Sequence, residues 1–148
     1  YIHADMHEPA GLLEQAAGLL DFDEPVAVIF MEVLGHVADT AVARNLVSTV
    51  MEATAPGSYL LIGDGIETAG DEAVRKAQDD YSDTGAVPYR NRPAAELRSL
   101  FDGLQFVDPG FVSVTRWRPD RPEGVSTIGL PEPEPLENVF GGLARKPA

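Results

Sequence analysis

The 148-residue sequence contains no cysteine, so disulfides, thiolate metal ligands and a thiol nucleophile are excluded. Basic residues are also scarce, because 11 Lys and Arg stand against 24 Asp and Glu and give a formal net charge of −13. Such a charge repels phosphate backbones and anionic lipid headgroups. We therefore expect neither a nucleic-acid partner nor a membrane partner.

Long apolar runs are missing as well, and none approaches the roughly 20 residues that a membrane-spanning helix needs. The first five residues lack the basic region and apolar segment that mark a secretory signal. A cytoplasmic protein is therefore the expectation. Hydrophobic residues make up 44% of the chain, which is enough for one folded domain with a core.

Helical and strand-like patterns alternate along the first half of the sequence. Apolar residues recur at helical spacing over residues 8–20, and a second helix is predicted from Asp39 or Thr40, either of which can cap it. The continuous apolar runs at residues 26–31 and 58–63 predict strands that are buried on both faces. Residues 1–4 indicate the end of a further strand.

The second half continues this alternation. One helix is predicted from Thr68 to about Tyr81, and a shorter helix, capped by Asn91, ends before Gly103. Strand-like stretches at residues 111–117 and 138–144 flank a loop rich in proline and acids at 119–137. We therefore predict one α/β domain over residues 1–148, in which a mostly parallel sheet ends in an antiparallel strand pair.

Several segments carry a family resemblance when they are taken in order. Residues 26–39, which end in E-V-L-G-H-V-A-D, resemble the fourth strand and following turn of class I S-adenosylmethionine-dependent methyltransferases. The segment A-P-G-S-Y-L-L-I at 55–62 resembles their fifth strand. The segments at 104–112, 117–119 and 141–147 resemble an actinobacterial methyltransferase family formerly known as a domain of unknown function. The resemblance implies a Rossmann-like sheet with adjacent strands in the order 4-5-7-6.

The family pattern also includes two features that this sequence lacks. A glycine-rich turn should follow a first strand, and an acid should end a second strand, but Gly-x-Gly occurs only at Gly63–Gly65. We therefore expect the chain to be the C-terminal part of a methyltransferase domain, from the third strand onward, and to be inactive by itself. A natural truncation is the alternative. Without the first two strands, the fourth strand would be an exposed edge that invites self-association or pairing with another chain.

The resemblance assigns S-adenosylmethionine as the cofactor and implies which residues contact it. Asp5 would accept a hydrogen bond from the adenine amino group, and the next backbone amide would face the ring. The implied cofactor-binding residues are Asp5, Met6, Phe30, Met31, Glu32 and Val37. From the residues alone, Asp5 could instead cap the first helix and Phe30 could belong to the core.

The implied acceptor side follows the fourth and fifth strands. His36 is the candidate general base, because a neutral imidazole near the transferred methyl group can accept a proton. The rim toward the acceptor would contain Asp64, Glu67, Tyr89 and Arg90. A structural histidine, surface acids and arginines paired with neighbouring acids are the alternatives. His3 and His7 straddle a predicted strand end, so no metal site is expected.

The sequence thus predicts methyl transfer from S-adenosylmethionine to an unidentified small-molecule acceptor, as part of a longer chain. The alternative is a non-catalytic, degenerate half-domain that acts as an interaction module through its exposed edge. A nicotinamide-binding enzyme is disfavoured because the sequence contains no Gly-x-Gly-x-x-Gly. A glycine-rich strand-turn-helix upstream of these residues would favour the enzyme over the module.

Overall fold

The computed structural model describes residues 1–68, 70, 72–117 and 136–148, and within them five strands form one sheet. The strands are β1 (Ala27–Met31), β2 (Tyr59–Gly65), β3 (Gln105–Phe106), β4 (Val112–Ser113) and β5 (Val139–Arg145). The helices are α1 (Pro9–Ala17), α2 (Thr40–Glu52), α3 (Glu72–Asp83) and α4 (Ala94–Ser99). Short 3₁₀ turns lie at Leu34–His36 and Val114–Arg116.

The sheet has the predicted strand order. β1 pairs with β2 in parallel, β5 lies antiparallel on the other edge of β2, and β3 and β4 both pair antiparallel with β5. Since β2 occupies one edge of β5 along its whole length, β3 and β4 share the opposite edge. The predicted order 4-5-7-6 is therefore confirmed, with β1, β2 and β5 as the fourth, fifth and seventh strands. Two short strands take the place of the sixth.

Helix α2 begins at its predicted cap. The Asp39 carboxylate accepts hydrogen bonds from the backbone N–H groups of Ala41 at 2.7 Å and Val42 at 3.1 Å. These contacts satisfy two amides that the first turn leaves without a helical partner. The apolar stripe of α2 is buried in the same hydrophobic cluster as Leu60 and Ile62 of β2. Burial of each large apolar side chain in such a cluster contributes about 1.5–3 kcal/mol.

The glycine- and lysine-containing segment at 141–147 has a clear packing role. A Cβ on Gly141 would stand 2.8 Å from the Ile62 carbonyl oxygen, so only glycine allows β5 to approach β2 this closely. Lys146 Nζ donates to the carbonyl oxygens of Met51 at 2.7 Å, in the last turn of α2, and of Thr54 at 2.6 Å, just after it. A cation there also interacts favourably with the negative end of the helix dipole.

One face of β1 is open, in contrast to the expectation that this strand is buried on both faces. Val28 and Phe30 pack against the core cluster, whereas Ile29 is 63% exposed and Met31 is 54% exposed. The burial along β1 alternates because the core cluster lies on one side of the sheet. β1 is also the last strand in the sheet order, so its outer edge pairs with no strand among the described residues.

Several boundaries differ from the sequence-based expectations. Residues 1–5 form no strand, since no strand of the described sheet lies beside them. Asn91 does not cap α4, whose N-terminal cap is Pro93, because the Asn91 side chain bonds to Gln78 and the Ile66 carbonyl instead. The strand expected at 111–117 covers only β4 and then turns into a 3₁₀ helix, and β3 was not foreseen. Most of the predicted loop at 119–137 lies outside the described residues.

Candidate functional site

The polar side chains converge at the carboxyl ends of the parallel strands β1 and β2. Such an edge is where open α/β sheets bind ligands, because the strand ends and the following turns leave a crevice there. Asp64, near the end of β2, is joined to the turn after β1 by a hydrogen bond from Gly35 N–H to its Oδ2 at 3.1 Å. The Asp64 side chain therefore links the end of β2 to the turn that follows β1.

Asp64 lies beneath the expected rim, because its side chain is buried and only 2% of the residue is exposed. Besides Gly35 N–H, its carboxylate accepts from Gly65 N–H at 2.9 Å and from the Tyr89 hydroxyl. A buried carboxylate needs such donors to offset its lost hydration. Asp64 is thus a structural acid that holds the turns around the crevice, in contrast to the exposed acid that the sequence suggested.

Arg92 supports the same turn from within the protein. Its guanidinium donates to the Leu34 carbonyl at 2.8 Å and to the Val37 carbonyl, while its Nε–H has no hydrogen-bond partner among the described residues. Burial lowers the pKa of Arg92, and the nearby Asp64 carboxylate opposes that shift. Buried charges persist in proteins when they are hydrogen-bonded or compensated in this way. The 3₁₀ turn that contains His36 is therefore held from two sides.

The His36 ring is oriented by a backbone contact. Its Nδ1 lies 3.1 Å from the Pro88 carbonyl oxygen, and because a carbonyl can only accept, Nδ1 carries the hydrogen. The lone pair of a neutral ring is then on Nε2. The ring also meets Tyr89 edge to face, with centroids 5.1 Å apart. This arrangement is the one that a general base at Nε2 requires.

Tyr89 packs directly on Gly35. A Cβ at Gly35 would lie 2.4 Å from the tyrosine ring, so the glycine is required for this close contact. Burial raises the pKa of Tyr89, and the Asp64 carboxylate that accepts its hydroxyl hydrogen raises it further. Tyr89 is therefore a neutral hydrogen-bond donor near neutral pH. Its ring, Gly35 and His36 form one surface at the end of β1.

The residues at the end of β1 divide into two groups. Met31 and Glu32 are exposed, and Glu32 has a left-handed backbone with φ of 50° while its N–H donates to the Gly63 carbonyl at 2.8 Å. A non-glycine residue in this conformation is strained and frequently marks a functional site. Phe30 packs on the core, and Val37 is 2% exposed with its carbonyl bound to Arg92. Met31 and Glu32 are thus the ones whose side chains face solvent.

Asp5 and Met6 lie in the segment before α1. Asp5 is exposed, and its Oδ1 accepts from His7 N–H at 2.9 Å and lies 2.9 Å from His7 Nδ1. The backbone hydrogen bond of His7 is the main cause that lowers the pKa of Asp5. The alternative role as a helix cap is not observed, because α1 begins after Glu8 without a side-chain cap. Met6 packs partly against the core.

The remaining rim residues, Glu67 and Arg90, lie before and after α3 in the sequence. Glu67 is exposed, and its backbone N–H donates to the Arg92 carbonyl at 2.8 Å. Arg90 pairs with Asp79 of α3 at 2.7 Å, as the alternative for the arginines anticipated. No hydrogen bond among the described residues joins Asp5 to the group formed by Asp64, Tyr89 and His36. The structural role of Arg92 and the packing requirement for glycine at Gly35 are not predictable from the sequence, because both depend on residues more than 50 positions away along the chain.

Two further observations limit the kind of site. Within the described part of the chain, no group of three His, Asp or Glu residues is arranged to hold a metal ion. The described helices include none that is both long enough and apolar enough to cross a membrane.

Comparison with solved structures identifies the class of fold. A DUF574 family protein from Streptomyces avermitilis MA-4680 is 30% identical, with a TM-score of 0.81, and the match covers 99% of this chain and 55% of that protein. A proposed methyltransferase from Thermobifida fusca YX is 28% identical, with a TM-score of 0.79, over 99% of this chain and 53% of its own. An S-adenosylmethionine-dependent methyltransferase from Methanosarcina mazei, at 14% identity and a TM-score of 0.51, is similar in fold alone. The sheet is that of a class I methyltransferase.

The family follows from the sequence comparison. The sequence model of the S-adenosyl methyltransferase family matches residues 1–147, so this chain belongs to that family. No curated protein matches the chain. The chain spans about half the length of the two more similar solved structures.

Proposed function

We propose that this chain forms the C-terminal part of an enzyme that transfers a methyl group from S-adenosylmethionine to a small-molecule acceptor. The observation that carries the proposal is the family match over residues 1–147, together with the polar group at the ends of β1 and β2. The comparisons lend no support to the alternative of a non-catalytic interaction module. A cytoplasmic location stays a prediction.

The cofactor side would involve the exposed residues near the end of β1 and before α1. The carboxylates of Asp5 and Glu32 are both exposed acceptors, which fits the amino and hydroxyl donors of an adenosine group. Met6, Phe30, Met31 and Val37 complete the proposed set. When bound, S-adenosylmethionine supplies an activated methyl group, and its sulfur keeps the electron pair of the broken carbon–sulfur bond.

His36 is the proposed base on the acceptor side. As the acceptor oxygen becomes methylated, Nε2 takes the proton that the hydroxyl loses, while Nδ1–H remains on the Pro88 carbonyl. The same contact keeps the ring from turning, so the basic nitrogen stays directed away from Pro88. Tyr89, Glu67 and Arg90 belong to the proposed rim, and Asp64 positions Tyr89 from below. The protein otherwise acts by aligning the two reactants and excluding water.

Binding of S-adenosylmethionine tests the proposal. The titration compares the chain as its gene encodes it with residues 1–148 alone, by calorimetry at the same temperature and salt. We expect binding by a chain that includes the glycine-rich turn implied by the resemblance, and weak or no binding by residues 1–148. Tight binding by residues 1–148 would refute the proposed division of the cofactor site. A complete chain that binds no S-adenosylmethionine would refute the function.

A partner contact is proposed separately for β1. Among the described residues no strand pairs with its outer edge, which lies beside the exposed apolar side chains of Ile29 and Met31, and this combination promotes strand pairing. The proposal is self-association or pairing with another chain through this edge. This proposal concerns residues 1–148 alone, because the resemblance implies that strands preceding these residues cover the edge of β1 in the longer chain.

A further inference from the structure

Helix α3 has an apolar stripe that the described part of the chain covers only in part. Val74, Ala77 and Tyr81 follow the spacing of one helix face, and no described residue of α3 is buried. A helix with a polar and an apolar face normally buries the apolar one against a core. Here the stripe instead borders a cleft.

The cleft lies between α3 and the surface formed by Tyr89 and His36. It is an open, shallow cleft of about 390 Å³, and its lining residues are His36, Val74, Ala77, Gln78, Tyr81 and Tyr89. The floor is fixed, because Tyr89 rests on Gly35 and its hydroxyl is held by the buried Asp64. Small-molecule sites commonly combine such apolar walls with a few oriented polar groups.

The chemistry of the lining favours one kind of ligand. His36 contributes a ring whose Nε2 is an acceptor, since Nδ1–H is used by Pro88. The lining contains no Lys or Arg. The neighbouring cations Lys76 and Arg90 are paired with Asp80 and Asp79, each at 2.7 Å, and Arg75 lines the adjacent cavity on the other side of Val74 and Gln78. An anion would therefore lose its hydration without gaining a counter-charge in the cleft. A neutral molecule with a hydroxyl donor suits both the walls and His36.

We propose that this cleft is the acceptor subsite and that it takes a neutral, largely apolar hydroxyl compound, such as an alkyl-substituted phenol, whose hydroxyl faces His36 Nε2. This assignment rests on the proposed methyltransferase function. The apolar body of the acceptor lies along Val74, Ala77 and Tyr81. Helix α3 thus forms the wall that selects the acceptor.

The test uses three probes with the chain as its gene encodes it: 4-propylphenol, 4-propylanisole and 4-propylbenzoate. Binding is measured by calorimetry and by saturation-transfer NMR in the presence of S-adenosylhomocysteine. We expect 4-propylphenol to bind about tenfold more tightly than the other two, because only it is both neutral and a hydrogen-bond donor. His36→Ala should remove the preference for the phenol over the anisole. Equal binding of all three probes to the unmodified protein would overturn the assignment.

A pair of matched variants locates the site. Ala77→Trp fills the cleft, whereas Asp83→Trp adds the same side chain at an exposed position on the opposite face of α3, outside the cleft lining. We expect Ala77→Trp to weaken 4-propylphenol binding about tenfold and Asp83→Trp to leave it unchanged. Both variants are first checked for cooperative urea unfolding, and the smaller pair Ala77→Met and Asp83→Met replaces them if Ala77→Trp does not fold. Equal effects of the two folded variants would overturn the assignment.

The failure of this subsite can be distinguished from the failure of the proposed function. If S-adenosylmethionine binds and 4-propylphenol does not, the subsite is wrong and the methyltransferase function stands. If 4-propylphenol binds with the expected dependence on Ala77 and S-adenosylmethionine does not bind, the cleft is a ligand site but the proposed function fails. Formation of 4-propylanisole and S-adenosylhomocysteine from the phenol would support both.

Discussion

Replacement of Asp64 gives the sharpest test of how the crevice is held together. Asp64→Ala removes the acceptor of the Gly35 and Gly65 amides and of the Tyr89 hydroxyl. It also removes the negative charge that favours the charged form of the buried Arg92. The loss of a buried carboxylate that leaves its hydrogen-bond donors without an acceptor costs about 3–5 kcal/mol of folding free energy. Asp64→Asn keeps the size and one acceptor oxygen, so we expect a smaller loss of about 1–2 kcal/mol.

Urea unfolding followed by circular dichroism measures these losses, provided that the denaturant slope is unchanged between variants. Tyr89→Phe is the companion variant, because it deletes one hydroxyl and should cost about 1–2 kcal/mol. Glu67→Ala is the matched control, since this acid is exposed three residues after Asp64 and its loss should stay within about 0.5 kcal/mol. If Asp64→Ala were no more destabilising than Glu67→Ala, the description of Asp64 as a buried hub would be refuted.

The pH dependence of stability supplies a second readout. The pKa of Tyr89 is raised in the folded chain, chiefly by burial and next by Asp64, from an ordinary value of 10.0. Its contribution is therefore complete below the unfolded pKa and is lost as the pH rises from there toward the folded pKa, because the unfolded chain then releases the proton more readily. Tyr89→Phe should reduce the fall in stability above pH 10. An unchanged alkaline profile would contradict this.

Three further predictions concern other parts of the molecule. Glu32→Gly should leave stability unchanged or raise it by up to about 1 kcal/mol, because relief of the left-handed strain outweighs the added flexibility of glycine; a clear loss in urea unfolding would contradict the strain. In the chain as its gene encodes it, Asp5→Asn and Asp5→Ala should each weaken S-adenosylmethionine binding roughly tenfold in calorimetry. The melting temperature should stay nearly unchanged, since the structure gives Asp5 no capping role, and intact affinity in both variants would remove Asp5 from the site. Ile29→Lys should reduce self-association in sedimentation velocity, whereas Leu19→Lys, at another exposed position, should not; equal behaviour of the two variants would argue against pairing at β1.

The sequence predicted those parts of the fold that local patterns determine. The Asp39 cap, the apolar stripe of α2 and the runs that became β1 and β2 are short-range signals, and the structure confirms each of them. The strand order came from the family resemblance, because nothing in the local pattern of β5 specifies that it inserts between β2 and β3. β3 itself spans two residues, which is too short for any periodicity to reveal it.

The candidate site was predicted less completely because burial is a property of the folded chain. An aspartate after a strand is typical of the surface, whereas Asp64 is buried beside Gly35 and Tyr89, which are distant from it in the sequence. Arg92 lies 55 residues after the Val37 carbonyl that it binds, so no spacing rule connects the two. The exposure of one face of β1 likewise depends on which elements pack against that face, and a continuous apolar sequence does not contain this information.

The contact of Lys146 with the carbonyls at the C-terminal end of α2 has a practical consequence. The Lys146 side chain holds the segment after β5 against the end of α2, because Nζ donates to the Met51 carbonyl oxygen 95 positions earlier in the chain. Removal of residues 146–148 would delete this contact and leave the end of α2 to fray. A tag or fusion partner attached at residue 148 would have to leave the hydrogen bonds of Lys146 intact. Position 148 is thus a poorer attachment point than its exposure suggests.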